Sequence, residues 1–221
     1  MGRGYCVLNF KAYANSFGKR AVELAKFADE AAKETGANVV VCAQAVDLRS
    51  VAGAVNIPVF AQHIDGKKPG AFTGSLTAEA VRDAGAKGTL INHSEHKLPL
   101  DEVKLAVERC REAGISPLCC AATVDEAARI AAFKPDFIAI EPPELIGSGI
   151  SVSTANPGIV TGSVDAVRKV ADVPVLCGAG ISNSGDVAKA LELGAKGVLL
   201  ASAFVNAKEP KTLLKGMAGS L

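Results

Sequence analysis

The stretch GAKGTLINHS, residues 85–94, recurs as GAKGVLLASA, residues 194–203, at an offset of 109 residues. Each copy begins with a glycine of the kind that ends a helix and continues into a short apolar run of strand length. Because the offset is close to half of the 221 residues, we interpret the chain as two halves of four strand-helix units each.

Eight apolar runs of strand length alternate with segments of helical period along the chain. The runs occupy residues 5–9, 38–42, 58–61, 88–92, 116–120, 136–140, 174–177 and 197–201. The predicted helices occupy residues 17–35, 45–54, 77–84, 99–113, 124–132, 162–171, 184–193 and 210–218. Glycines in four of the connections predict left-handed residues at helix C-termini, namely Gly36, Gly85, Gly114 and Gly194.

The apolar runs are not interrupted by alternating polar residues, which is typical of parallel strands buried on both faces. Eight such strands, each followed by a helix, can close into a barrel, so the sequence predicts an α/β fold of the (β/α)8 TIM-barrel class. An open, doubly wound sheet is the alternative, because the number of strands alone does not prove closure. No linker or change of composition divides the chain, and we expect one catalytic domain over residues 1–221.

The composition argues against several kinds of partner. The 24 Lys and Arg residues nearly balance 23 Asp and Glu residues, and aromatic residues make up only 5% with no Trp, so we expect no nucleic-acid partner. No apolar run approaches the roughly 18 residues of a membrane span, and no signal-peptide core follows the N-terminus. We therefore expect a cytoplasmic protein with no membrane partner.

The six cysteines show no metal-binding spacing. Five lie in or beside apolar runs and Cys110 lies in a predicted helix, so we interpret all six as reduced core residues. A disulfide between the neighbours Cys119 and Cys120 is the alternative, although adjacent strand residues point to opposite faces.

Functional side chains of a parallel barrel follow the carboxyl ends of its strands. Polar residues or glycines follow five of the predicted strands: Asn9 and Lys11, His93 and Glu95, Glu141, Gly178 to Gly180, and Ala201 with Ser202. Together they offer a base, a neutral electrophile, a cation and a glycine-rich anion site. Such a set suits removal of a proton next to the carbonyl of a phosphorylated substrate, with donors that stabilise the enediolate oxygen.

Each of these residues also has a structural interpretation. Lys11 is compatible with a solvated lysine, His93 with a core histidine bonded to backbone, and Glu141 with the cap of a following turn. We assign the other two histidines, His63 and His96, to the structural class. The joint placement of the candidates at the ends of strands one, four, six, seven and eight favours the functional interpretation.

A second carboxylate, Glu144, competes with Glu141 for the role of base. Glu141 directly follows the run FIAI and takes a fixed position from the strand, whereas Glu144 belongs to the loop. Because a base has to lie within hydrogen-bond reach of its proton, we favour Glu141.

Four motifs occur in order along the chain: NFK at 9–11, GAFTG at 70–74, NHSE at 92–95 and EPPELIG at 141–147. Their combination resembles the landmarks of the triosephosphate isomerase family over nearly the whole chain. The resemblance implies an isomerase that interconverts dihydroxyacetone phosphate and D-glyceraldehyde 3-phosphate through an enediolate, in glycolysis and gluconeogenesis. It implies a triose phosphate as the substrate, and neither a metal nor a cofactor.

The same resemblance implies roles for individual residues. In this family, itself a standard example of pKa tuning, Glu141 would move the proton between C1 and C2 while neutral His93 polarises the carbonyl. Lys11 would supply positive charge, Asn9 would orient the substrate, and Glu95 would be the ion partner of Lys11. Substrate binding is implied for Asn9, Phe10, Lys11, Ile146, Gly147, Gly180, Ala201 and Ser202, with backbone N–H groups as phosphate donors.

Several departures from the common family pattern resemble the shorter archaeal-type members. The chain is shorter than the roughly 250 residues typical of the fold. Pro143-Glu144 stands where the common loop carries a Trp, CGAG at 177–180 replaces YGGS, and Ala201-Ser202 replaces a pair of glycines. These changes affect the expected phosphate contacts and leave the expected chemistry unchanged.

Two loops carry further expectations. The segment 62–76 is longer than an ordinary loop between a strand and a helix, and in the family it inserts beside a neighbour's active site. We therefore expect a homotetramer, with a dimer as the minimum, the alternative being a mobile surface loop. Residues 144–149 are expected to form a lid over the substrate, stiffened by the prolines that precede them.

Two other functions remain open at the level of sequence. Another phosphate-binding barrel, of the kind used in tryptophan or histidine biosynthesis, would share the late glycine-rich loops, but it does not account for the NFK and NHSE motifs. The other alternative is a non-catalytic protein that has kept the fold and binds triose phosphate, since fold alone does not fix function.

Overall fold

The computed structural model of the protein describes residues 4–142, 145 and 151–221, in which eight parallel strands form a closed barrel. The strands are β1 (Tyr5–Asn9), β2 (Asn38–Ala43), β3 (Val59–Ala61), β4 (Gly88–Ile91), β5 (Ser116–Ala121), β6 (Phe137–Ile140), β7 (Val175–Cys177) and β8 (Gly197–Leu200). Each strand pairs with the next along the chain, and β8 pairs with β1. The predicted barrel is confirmed, and the alternative of an open sheet is wrong because the first and last strands pair with each other.

Helices connect the strands and form the outer layer of the barrel. They are α1 (Lys19–Thr35), α2 (Leu48–Ala52), α3 (Ala78–Asp83), α4 (Leu100–Ala113), α5 (Val124–Ala131), α6 (Val152–Ala155), α7 (Pro157–Val170), α8 (Ser184–Glu192), α9 (Ser202–Val205) and α10 (Pro210–Ala218). The four predicted glycines all have positive φ, between 68° and 102°. These angles confirm the expected left-handed residues between helices and strands.

Two short helices, α6 and α9, were not predicted from the sequence. Each has four residues, about one turn, which is too short to show a helical period. The helix α7 also begins earlier than the predicted residue 162, because Pro157 occupies its first position, where proline is favoured.

Alternate side chains of each strand point into and out of the barrel. Outward side chains such as Leu8 pack beneath the helices in the larger core. Inward side chains fill the barrel itself, namely Val7, Val40, Cys42, Phe60, Leu90, Leu118, Cys120, Ala139, Leu176 and Leu199. Asn9 and Glu141 continue the inward series of β1 and β6 beyond Val7 and Ala139, so both side chains emerge at the carboxyl end of the barrel.

The seam between β8 and β1 requires glycine at position 197. Gly197 has φ +151°, and a Cβ atom built there would lie 2.1 Å from the carbonyl oxygen of Tyr5. The absence of a side chain therefore lets the backbones of the last and first strands approach closely enough to pair.

The six cysteines are all buried free thiols, which confirms their interpretation as reduced core residues. The alternative disulfide between Cys119 and Cys120 does not form. Within residues 4–142, 145 and 151–221, no helix has the length and apolar character required to cross a membrane.

Candidate active site

A cavity of about 270 Å³ opens at the carboxyl end of the barrel. It is lined by Asn9, Lys11, Tyr13, His93, Glu141, Gly178 to Ser182 and Leu199 to Ala203. These residues come from the ends of β1, β4, β6, β7 and β8, the five strand ends selected from the sequence. The fold therefore brings together groups that are far apart along the chain.

Glu141 follows β6 and is 2% exposed. Its side chain occupies space beside Gly178, where a Cβ atom would lie 2.6 Å from Cγ of Glu141. The Oε2 atom is buried with no hydrogen-bond partner among the described residues. Burial raises the pKa of this carboxyl to about 7, although the Cys120 thiol, the Ser94 backbone amide and the Lys11 ammonium favour the charged form. A carboxyl tuned in this way is suited to accept and return a proton near neutral pH.

His93 lies in the turn after β4, with its Nε2 atom 3.5 Å from Oε1 of Glu141. The backbone N–H of Glu95 donates a hydrogen bond of 3.1 Å to Nδ1 of His93. Because an accepting Nδ1 carries no proton, the neutral ring carries its proton on Nε2, beside Glu141. Burial, with the nearby charge of Lys11, lowers the pKa of His93 to about 4. His93 is therefore a neutral N–H donor at physiological pH.

Lys11 brings a positive charge to the cavity, and its Nζ atom lies 2.6 Å from Oε1 of Glu95. Its backbone is held in the left-handed region, at φ +49°, which is unfavourable for a side chain with a Cβ atom. The backbone N–H of Lys11 donates to Oδ1 of Asn9 at 2.9 Å. Nε2 of Gln62 donates to that same oxygen and to the carbonyl oxygens of Lys11 and Cys42, at 3.2, 3.0 and 3.3 Å.

Backbone segments after β7 and β8 line the part of the cavity between the ends of β6 and β1, and neither contains an acidic residue. Gly180 has φ +70°, a conformation that favours glycine in the first segment. In the second segment α9 begins at Ser202, and the first N–H groups of a helix have no acceptor within that helix. Free N–H groups in an electrically neutral segment are suited to holding an anion.

The predicted site residues fall into three groups. Those that line the cavity are Asn9, Lys11, His93, Glu141, Gly180, Ala201 and Ser202, and Glu95 contacts Lys11 beside it. Phe10 is fully buried behind the cavity and stacks on Phe204 of α9, with ring centroids 6.4 Å apart. Ile146, Gly147, the second carboxylate Glu144 and nearly all of the expected lid lie outside the described residues.

Sequence reasoning missed several residues that shape this site. Gln62 had been noted only as the start of a long loop, and Asn92 only as part of a motif. Tyr13 and Ser182 line the cavity and were not considered. Each is a single polar residue in a loop, and only its three-dimensional neighbours reveal its position at the site.

His63 and His96 are placed away from the cavity lining. Their rings stack on each other, with centroids 4.2 Å apart and planes inclined by 16°. His63 is half-buried and His96 is exposed, so neither is a fully buried core histidine. Among the residues that the structure describes, no group of three or more His, Cys, Asp or Glu side chains could hold a metal ion.

The family model described as "Triosephosphate isomerase" matches residues 5–217 of the chain. The chain belongs to the triosephosphate isomerase family. The triosephosphate isomerase of Methanocaldococcus jannaschii is 49% identical over 210 residues, which cover 95% of this chain and 96% of that protein. The family member from Methanothermobacter thermautotrophicus is 52% identical, with 94% and 91% of the two chains covered. The resemblance to this isomerase family, drawn from the motifs, is confirmed.

A solved structure from the same family supports the fold. The triosephosphate isomerase of Bartonella henselae superposes with a TM-score of 0.78, covering 99% of this chain and 98% of that one. Its sequence is only 18% identical, so the similarity concerns the barrel architecture.

Proposed function

We propose that the protein interconverts dihydroxyacetone phosphate and D-glyceraldehyde 3-phosphate, as in glycolysis and gluconeogenesis, with Glu141 and His93 as the catalytic pair. One observation carries the assignment of the pair. A buried carboxyl with its pKa raised to about 7 and a neutral imidazole N–H lie 3.5 Å apart at one cavity. Two such groups can reach neighbouring atoms of one small substrate, and proton transfer next to a carbonyl requires them.

The reaction begins when the carboxylate of Glu141 takes a proton from C1 of dihydroxyacetone phosphate. The electron pair of the broken C–H bond forms the C1=C2 double bond, and the carbonyl oxygen on C2 takes the negative charge of an enediolate. Nε2–H of His93 donates a hydrogen bond to that oxygen as the charge develops. Return of the proton from Glu141 to C2, with transfer of the O1 proton to O2, leaves the aldehyde at C1.

The rest of the cavity would hold the substrate. The ammonium of Lys11 places a positive charge beside the dianionic substrate, and Glu95 holds that ammonium in position. Asn9 orients the substrate. The phosphate is assigned to the backbone around Gly180, Ala201 and Ser202, together with Ile146 and Gly147, and Phe10 supports the first strand end from the core. The proposed proton transfer uses no metal and no organic cofactor.

Enzyme assays coupled to consumption of each product test this function in both directions. We expect turnover of both triose phosphates by the purified protein without added metal. Binding of triose phosphate without turnover would support a non-catalytic protein instead. Turnover of an aminated or ribose-phosphate substrate alone would support another phosphate-binding barrel.

The pKa values of the two catalytic groups predict the pH dependence. Only the carboxylate form of Glu141 accepts a proton, so kcat/KM should fall about tenfold per pH unit below about pH 7. Because the pKa of His93 is about 4, its titration should not change the pH profile of kcat/KM above about pH 5. Phosphate monoesters themselves lose a proton near pH 6. An NMR titration of the Glu141 carboxyl in the substrate-free protein separates the two effects, and a midpoint near 4.5 would contradict the assignment.

We also propose that the protein is a homotetramer, with a dimer as the minimum. The segment 62–76 supports this, since Phe72 at its tip is 47% exposed and Lys67 lies over the phenyl ring. The segment is longer than the roughly two to six residues usual between a strand and a helix, and this length supports contact with a second copy of the chain. Light scattering at micromolar concentration should give at least twice the mass of one chain, and a monomeric mass with full activity would contradict the proposal.

The remaining parts of the proposal concern organisation and location. The chain would act as one catalytic domain over residues 1–221, in the cytoplasm, with a triose phosphate as its partner and with no nucleic acid or membrane. The family match over residues 5–217 and the near balance of charge support this.

A further inference from the structure

The turn that carries His93 is closed by the side chain of Asn92. Oδ1 of Asn92 accepts a hydrogen bond of 2.9 Å from the backbone N–H of Leu98, so the segment between them forms a ring. Asn92 itself is left-handed, with φ +61°, and 1% exposed. Within this ring the backbone N–H of Glu95 holds Nδ1 of His93. The orientation of the imidazole therefore depends on the position of the whole turn.

Two acceptors outside the turn hold it in place, the carbonyl oxygen of Cys120, which lies 2.8 Å from Nδ2 of Asn92, and the carboxylate of Glu126 in α5. Oε1 of Glu126 accepts hydrogen bonds from Nδ2 of Asn92, at 2.8 Å, and from Nζ of Lys97. Its Oε2 accepts the backbone N–H of Ala122 at 2.7 Å, directly after β5. The carboxylate thus connects both ends of the His93 turn to the neighbouring strand.

The position of Glu126 in its helix also has an ordinary explanation. Thr123 caps α5 by accepting the backbone N–H of Glu126, and in a capping box the glutamate bonds back to the N–H of the capping residue. Here the carboxylate instead bonds the preceding residue, Ala122, and reaches the turn after β4. A helix cap alone does not require the contacts with Asn92 and Lys97.

The charge of Glu126 is suited to this connection. Partial burial would raise the pKa of Glu126, but hydrogen bonds from Lys97, Ala122 and Asn92 lower it below its ordinary value. The side chain is therefore an acceptor at both oxygens at neutral pH. All three of its partners are donors, so a carboxylate matches them and an amide does not.

We propose that Glu126 is a positioning residue for the isomerase reaction, which acts by holding the His93 turn so that Nε2–H faces the substrate carbonyl. This rests on the proposed role of His93 as the electrophile. The described groups assigned to the phosphate, Gly180, Ala201 and Ser202, follow β7 and β8, across the barrel from the end of β4. Loss of Glu126 should therefore lower kcat while leaving substrate binding nearly unchanged.

The test replaces Glu126 with glutamine, which keeps the size but places an N–H₂ group against a donor. We expect kcat to fall about tenfold with KM changed less than twofold, because small misplacements of a catalytic group cost up to about 10²-fold in rate. The control is Asp125→Asn on the same helix, since Asp125 is 83% exposed and only loosely paired with Arg129. Its kcat should stay at the wild-type value.

A spectroscopic measurement separates positioning from a helix cap. In the wild type, the ¹⁵N shifts of the His93 ring should show a bare Nδ1 and a protonated Nε2. In E126Q the Nδ1 signal should move or broaden, whereas D125N should leave it unchanged. If E126Q does not fold, Glu126→Asp, which keeps the charge but shortens the reach, gives the same comparison.

Lower thermal stability of E126Q with kcat and the His93 signals unchanged would overturn the proposal, since a helix cap explains that result. An equal loss of kcat in D125N would also overturn it. The ring signals report on the turn even if the wild type shows no isomerase activity, so failure of the proposed function and failure of the positioning role give different results.

Discussion

Replacing Glu141 with glutamine is expected to lower turnover by about 10² to 10⁴-fold, the range usual for a positioned acid or base. Glutamine keeps the size of the side chain and fills the same space beside Gly178. It cannot take up the C1 proton. The measurement is kcat in both directions on the purified variant, with circular dichroism to show that the barrel has folded.

The same variant should lose turnover but gain thermal stability above neutral pH, so its stability is a second measurement. Because burial raises the pKa of Glu141 from 4.5 to about 7, the folded protein binds this proton more tightly than the unfolded chain does. The wild type should lose stability as pH rises from about 4.5 to 7, by roughly 3 kcal/mol. The neutral glutamine avoids this cost, so the variant should have the higher melting temperature at pH 8. Near-normal turnover in the folded variant would instead move the role of base to Glu144 or end the mechanism.

The second large effect is expected for Gly178→Ala. A Cβ atom at this position would lie 2.6 Å from Cγ of Glu141 and 3.0 Å from the carbonyl oxygen of Ile140. Because a strand backbone yields less than a side chain, the new methyl group should displace the carboxylate. A shift of about 1 Å is expected to lower kcat by about 10²-fold.

The control for this prediction is Gly216→Ala in α10, where a Cβ atom meets no other atom within 4 Å. That change should leave kcat unaltered and stabilise the helix by up to about 1 kcal/mol. A G178A protein with wild-type kcat would show that the carboxylate is not confined by this glycine.

The barrel could be predicted because its determinants are repeated along the chain. Eight apolar runs and the glycines between helix and strand each occur many times, so an error in one leaves the pattern intact. The ends of the helices were predicted less well. In α7, for example, Pro157 begins the helix before the apolar period appears. Closure between β1 and β8 involves residues at opposite ends of the chain, so in the sequence only the repeat of residues 85–94 at 194–203 favoured it.

The site could be predicted where a functional residue lies within a few positions of the end of a strand. Glu141 continues the inward series of β6 and His93 lies two residues after the end of β4, so sequence reasoning located them. Gln62, Asn92 and Glu126 make hydrogen bonds to residues between 4 and 53 positions away along the chain. Asparagine, glutamine and glutamate are common in loops and at helix starts, so their residue types alone do not reveal these hydrogen bonds.

Because Gly197 pairs with Tyr5, the barrel cannot close during synthesis until the last strand has been made. The two strands are separated by about 190 residues, which a ribosome needs roughly 10 to 40 s to translate. Until Gly197 to Leu200 emerge, β1 has an unpaired edge and the first catalytic residues have no complete cavity around them. A nascent chain stopped before β8 would therefore expose a sheet edge that attracts other unfinished chains, and chaperones should protect it at that stage.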